Sequence, residues 1–239
     1  MRGTSVHDRL SPLLLALQLS DSSFPSGMYT LSHGLEGLAQ DGEVSADTLT
    51  DTVHGILRHN VGPGESTALA LAWAASSTTD LDELCAALAR IDRRIHATRL
   101  AKQARVSAVR TGRQVLDLAA ELMEDPAVRA WNAYVSARHS PGSASVVMGL
   151  VYARGGLGAR EAVATDLSAY LASLAGAALR LRLTDHRGAQ RLITRAAPVV
   201  TEIADSAVIR PIEELGGFAP ALDIAQMRHE TAPARLFAS

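Results

Sequence analysis

"LSAYLASLAGAALRL", residues 167–181, decides the fold class. Its apolar residues at 167, 171, 174, 178 and 181 step by four, three, four and three. That is the spacing of one stripe along an α-helix, and it predicts a long inner helix. The composition points the same way. Hydrophobic residues make up 47% of the 239 and aromatics only 4%, so the core is built mainly from Leu, Ala and Val. Such a mixture favours helix over sheet.

Upstream, "ASVVMGLVYA" (144–153) leads into Gly155-Gly156, and "HSPGS" (139–143) separates it from a helix opened by Asp125-Pro126 and running over 126–138. "TTDLDELCAALARIDRRI" (78–95) begins with a cap and an acidic first turn, as the helix dipole prefers, and helix continues with a break to Met123. "STALALAWAAS" (66–76) is apolar nearly all round and predicts a buried helix. Ser45–His59 reads as an amphipathic helix stopped by "VGPGE" (61–65). Downstream, the pattern breaks at "TDHRGAQRL" and resumes through Pro198 to about Ala207.

Near the N-terminus, Ser11 reads as an N-cap with Pro12 at the first helical position. Met28, Leu31, Leu35 and Leu38 form a second helical stripe, with Ser26 as N-cap and Gly42 as the C′ residue. No run alternates with period two between turns, so no sheet is expected. The reading is all-α: a single-domain bundle of roughly eight to eleven helices with a C-terminal docking tail at about 216–239.

Catalytic and cofactor chemistry find little purchase. One cysteine, Cys85, excludes an intramolecular disulfide and any cysteine cluster, and its Leu/Ala neighbours make it a small core residue. The eight histidines include no i,i+4 pair, and His33-x-x-Glu36 lacks the second such motif that a carboxylate-bridged metal site needs. No G-x-S-x-G, S-x-x-K, P-loop or strand–G-x-G-x-x-G unit is present. The expectation is therefore no enzyme, no catalytic residues, and no permanently bound metal or cofactor. "LLLALQL" (13–19) is too short to span a bilayer and has no signal-type cleavage pattern behind it, which predicts a soluble, cytoplasmic protein without a membrane partner.

Two segments point outward instead. In "DSSFPSGMYTLSHGLEGL" (21–38), Gly34 and Gly37 cost roughly 1 kcal/mol each in a helix relative to Ala, which close helix packing would repay. In "GGFAPALDIAQMRHETAPARLFAS" (216–239), large hydrophobes persist to the end of a tail, as expected of a docking segment, with Arg235 and Phe237 as anchors. A third stretch, residues 90–113, carries eight Lys/Arg and one acid. It supports an alternative reading as a helical nucleic-acid-binding or regulatory protein. The net charge of −2 and the absence of interleaved aromatics favour a solvated face or an acidic protein partner over nucleic acid.

Taken together, the two end segments resemble the F-type urease accessory proteins, a nickel-insertion chaperone family. Pro25, Gly27, Tyr29, Ser32, Gly34, Leu35 and Glu36 match that family's N-terminal loop and S-x-G-L-E run. Phe218, Pro220, Asp223, Met227, His229, Glu230, Arg235, Leu236 and Phe237 match its C-terminal segment. Gly112-Arg113 with Leu116, and His139 with "VVMGLVYARGGLG", match stretches between. At 178–190 the chain keeps Arg180, Leu181, Gly188 and Gln190 but departs from the family's Pro-Leu-Gly-Gln core.

The resemblance implies an all-α homodimer that does no chemistry of its own. It implies binding to the D-type (H-type) accessory protein, recruitment of the G-type GTPase, and delivery of nickel through the complex to apo-urease, with nickel contacted only transiently. The residues expected to bind a partner or anchor the tail are Pro25, Ser26, Gly27, Tyr29, Ser32, His33, Gly34 and Glu36, with Met227, Arg228, His229, Glu230, Arg235, Leu236 and Phe237.

Overall fold

A computed structural model describes residues 6–25, 27 and 30–238, with side chains from residue 10 onward. The elements are α1 (Val6–Ser20), α2 (Leu35–Gln40), α3 (Leu49–Ile56), a π-helix (Leu57–Ser66), α4 (Thr67–Ala75) and α5 (Leu81–Thr98). They continue with α6 (Lys102–Leu122), α7 (Pro126–Ser136), α8 (Ala144–Arg154), α9 (Ala159–Arg180), α10 (His186–Ala207), a 3-10 turn (Ile212–Glu214) and α11 (Pro220–His229). No strand occurs among the described residues, and the fold is all-α.

Helix α8 is the centre. Val146, Val147, Leu150, Val151 and Tyr152 are wholly buried in it. Gly149 lets α4 lie against it, because a Cβ there would run into the backbone carbonyl of Leu69. Helices α6 and α9 flank α8, and α10 covers α9. The α9 stripe behaves as its spacing predicts: Leu167, Leu171, Leu174 and Ala178 are buried. By length and composition α9 could cross a membrane, but here it packs against α4 and α10.

Side chains close several helix ends. Asp80 accepts hydrogen bonds from the Asp82 and Glu83 amides, and Asp125 from those of Ala127 and Val128. Buried Asp92 accepts from Ser140 Oγ and from the Gly142 and Ser143 amides, fixing the loop that enters α8.

Three expectations are corrected. Pro12 does not open α1: the helix begins at Val6 and Pro12 lies inside it, so Ser11 is no N-cap. The lost backbone bond is offset by the inner face, where Ala16 and Leu19 are buried and Leu15 packs on the core. Residues 61–65 do not stop the second amphipathic segment either. The chain widens into the π-helix, with Pro63 inside it, and runs on into α4. Pro63 brings no N–H to this i→i−5 ladder, and the nearby His59 carbonyl accepts the Phe218 amide at 2.8 Å.

Nor is the third expected helix, over 28–38, continuous. His33 and Gly34 have φ of +54° and +88°, and the Leu35 amide donates to the Ser32 carbonyl at 3.0 Å. Residues 32–35 thus form a type I′ turn, and helix starts only at Leu35. Its far end is as expected: Gly42 has φ +76° and completes a Schellman closure, Gly42 N–H to Ala39 O and Glu43 N–H to Leu38 O.

Candidate functional site

The two outward-pointing segments meet. The turn at 32–35 brings α2 against α11, and Gly34 of the turn and Gly37 of α2 set their distance. A Cβ at Gly37 would stand 2.5 Å from the Ala225 carbonyl oxygen, and one at Gly34 would collide with Leu222 and Gln226. The close approach that Gly34 and Gly37 permit is therefore to the chain's own C-terminal helix.

Glu36, on α2, is buried and holds three donors. His229 Nε2 donates to its Oε2 at 2.8 Å, the Leu236 amide to Oε1 at 2.8 Å and the Phe237 amide to Oε2 at 3.0 Å. A carboxylate that takes two backbone amides is an acceptor, so the ring nitrogen facing it, Nε2, is the donor; on the other side of the ring Nδ1 lies 3.4 Å from Gln103 Oε1. Ser32, fully buried, presents its Oγ to the Glu36 amide. Glu230 takes the Gln103 amide at the start of α6 at 2.8 Å, and the Ala238 amide donates to the Thr30 carbonyl at 2.9 Å. The ring of Phe237 is buried, with the Arg180 guanidinium 4.1 Å above its centroid. Such a cation–π contact is worth on the order of 1 kcal/mol.

The other expected residues divide. Arg228 is exposed and pairs with Asp41 at 3.2 Å. Pro25 is exposed, as are Met227, Arg235 and Leu236. Gly27 has φ +77° and lies beside Gln114. Ser26 and Tyr29, and Met28 of the expected stripe, lie outside the described residues. His33 does not join the tail contacts. Its Nε2 is 3.0 Å from Ser173 Oγ and its ring lies 4.2 Å from that of Tyr170, where burial pushes its pKa down to about 4.

Away from the Glu36 contacts, the C-terminal segment leaves large apolar side chains in solvent: Phe218 is 81% exposed and Leu236 60%, with Ile224 and Met227 more than two-fifths exposed. On α1, Leu10, Leu13, Leu14 and Leu17 form a second exposed row, opposite the buried Ala16 and Leu19. Leu13 and Leu17 of this row line an open groove together with Gly156, Gly158, Glu161 and Ala164.

Beneath α11 lies a pocket of about 160 Å³, partly open to solvent. His33, Glu65, Asp166, Asp223 and Tyr152 line it. Burial, then the nearby Glu65 carboxylate, pushes the Asp166 pKa up to about 7, and the same causes raise Asp223. Glu65 pairs with Arg99 at 3.2 Å. Among the described residues no group of three or more His, Cys, Asp or Glu side chains could hold a metal ion.

Three arginines of the basic stretch tie backbone carbonyls of neighbouring segments. Arg94 donates to the carbonyls of Glu213 and Leu215, Arg105 to those of Arg99 and Leu100 at the break between α5 and α6, and Arg113 to that of Pro141. This use as backbone ties weakens the nucleic-acid alternative. Gln103 and Tyr170 carried no sequence signal, being single residues outside any motif.

Comparison with known proteins adds the following. The profile of the UreF family matches residues 44–197. Urease accessory protein UreF of Trichodesmium erythraeum is 29% identical over 235 residues, covering 98% of this chain and all of that protein. Urease accessory protein UreF 2 of Brucella canis is 29% identical over 239 residues, covering 98% and 95% of the two chains. Urease accessory protein UreF of a Bacillus species (strain TB-90) is 27% identical over 231 residues, covering 96% and 100%.

Proposed function

This chain belongs to the UreF family of urease accessory proteins, and on that footing we propose that it is a scaffold on which a urease-maturation complex assembles. Its role is that of an accessory protein in urease maturation, not of an enzyme. The D/H-type accessory protein docks on the C-terminal segment, the composite surface recruits the G-type GTPase, and nickel is cargo passed through the assembly to apo-urease.

The observation that carries this reading is the docked tail. Glu36 fixes residues 229–237 from inside, while Phe218, Ile224, Met227 and Leu236 remain in solvent. Holding such side chains in fixed places lowers the ordering cost of binding a partner. The exposed leucine row of α1, of which Leu13 and Leu17 also line the adjoining groove, is an apolar face that a second copy of this chain would cover in a homodimer.

The test is Phe218→Asp combined with Ile224→Asp, both at exposed positions. Co-purification of the D/H-type protein should fall at least about tenfold, the equivalent of about 1.4 kcal/mol, with the thermal midpoint unchanged. Capture at full strength by a normally folded double variant would place the docking surface elsewhere.

A further inference from the structure

We propose that the pocket beneath α11 binds a small organic ammonium compound, held by the carboxylates of Asp166 and Asp223. Three acids from three elements line it: Glu65 of the π-helix, Asp166 of α9 and Asp223 of α11. Glu65 is paired with Arg99, the one arginine in the wall. Asp166 and Asp223 take neither a hydrogen bond nor an ion pair among the described residues. His33 supplies no counter-charge, because burial keeps its ring neutral near pH 7. Two carboxylates turned to one partly buried space without a cation are costly to ionise, and a positive guest removes that cost.

Hydroxyl groups point to a guest independently. Tyr152 of α8 is wholly buried, and Thr111 and Ser145 are less than 5% exposed. All three line the pocket, and Thr111 Oγ1, Ser145 Oγ and Tyr152 OH have no hydrogen-bond partner among the described residues. Buried hydroxyls are almost always satisfied, by water or a ligand when not by protein.

The wall also selects the kind of cation. A bare metal ion asks for a closed shell of ligands, and no group of three or more His, Cys, Asp or Glu among the described residues could supply one. An ammonium brings its own N–H donors and is drawn to aromatic faces, here those of Tyr152 and Tyr170. Leu31, Ile95, Val115 and Met148 offer an apolar side to its carbon skeleton. The volume, about 160 Å³, suits one small molecule, since a cavity of roughly 150 Å³ holds benzene.

Benzylammonium is the probe, with benzyl alcohol and benzoate as its neutral and anionic isosteres. The readout is the methyl resonance of Met148 in full-length chain labelled at the methionine methyls. The amine should shift this resonance saturably, at low-millimolar Kd or tighter, and bind about tenfold or more tighter than either isostere. Asp166→Asn with Asp223→Asn should weaken the amine about tenfold or more while the fold is kept. A second measurement needs no variant. Asp166, with its pKa raised to about 7, must ionise to hold the cation, so amine affinity should rise about tenfold or more from pH 5 to pH 8. Absence of a Met148 shift would mean water only and overturn the proposal. So would benzyl alcohol binding as well as the amine, an affinity flat with pH, or one-for-one displacement of the amine by nickel. Equal binding of Nα-acetyl-lysine amide would make the pocket a receptor for a protein lysine and overturn the free amine.

Discussion

Glu36 gathers His229 and two backbone amides at hydrogen-bond distance, all buried or nearly so. Removing the acceptor leaves donors that cost roughly 1–3 kcal/mol each when buried unpaired. Because the tail can partly lift into water, Glu36→Ala should cost about 2–4 kcal/mol in urea unfolding, below the full sum. A loss under about 0.5 kcal/mol would mean that the carboxylate does not hold the tail. In the pocket, two groups titrate in opposite senses. His33, with its pKa lowered to about 4, favours the fold when neutral, so its contribution is lost as pH falls from about 6.5 towards 4. Asp166, raised to about 7, favours the fold when protonated, so its contribution is lost as pH rises from about 4 through 7. Asp166→Asn mimics the protonated form and removes the second effect. Its thermal midpoint relative to wild type should therefore climb between pH 5 and pH 8, measured by calorimetry. A difference that stays flat over that range would show that Asp166 ionises normally.

At the scale of elements, the sequence was most informative where one period governs a whole helix. The stripe of α9 and the caps of α5 and α7 are local signals, and local physics fixes them. It was least informative where a tertiary contact outweighs local preference. Pro12 and Pro63 both read as boundaries, yet both lie inside helical backbone, held by packing and, at Pro63, by a segment more than 150 residues away. The turn at 32–35 was hidden because Leu31, Leu35 and Leu38 are all buried, as a helix would require, while two positive φ angles break the path between them. For the candidate site, the types were legible and the pairing was not: Glu36 and His229 stood out in their own segments, but nothing in one segment names its partner in the other. Helix α1 carries its own prediction. Covering the exposed halves of its four leucines is worth on the order of 1 kcal/mol each. Leu14→Arg with Leu17→Arg should convert a dimer to a monomer in light scattering after size exclusion, with helical content unchanged. Persistence of the dimer would move the contact to another face.

At the scale of the whole molecule, the two ends of the chain are joined: α2 near the start receives α11 and the tail from the finish, over a bundle centred on α8. The buried polar groups hold the chain's own tail, and the exposed apolar ones are left for others. That division fits an accessory protein whose work is assembly. The most direct measurement is co-expression with the D/H-type accessory protein and the G-type GTPase, followed by size exclusion with mass determination. The account predicts a stable complex with the D/H-type protein containing two copies of this chain, joined by the GTPase only when both are present. Elution of this chain apart from the D/H-type protein, or GTPase binding by either one alone, would contradict it.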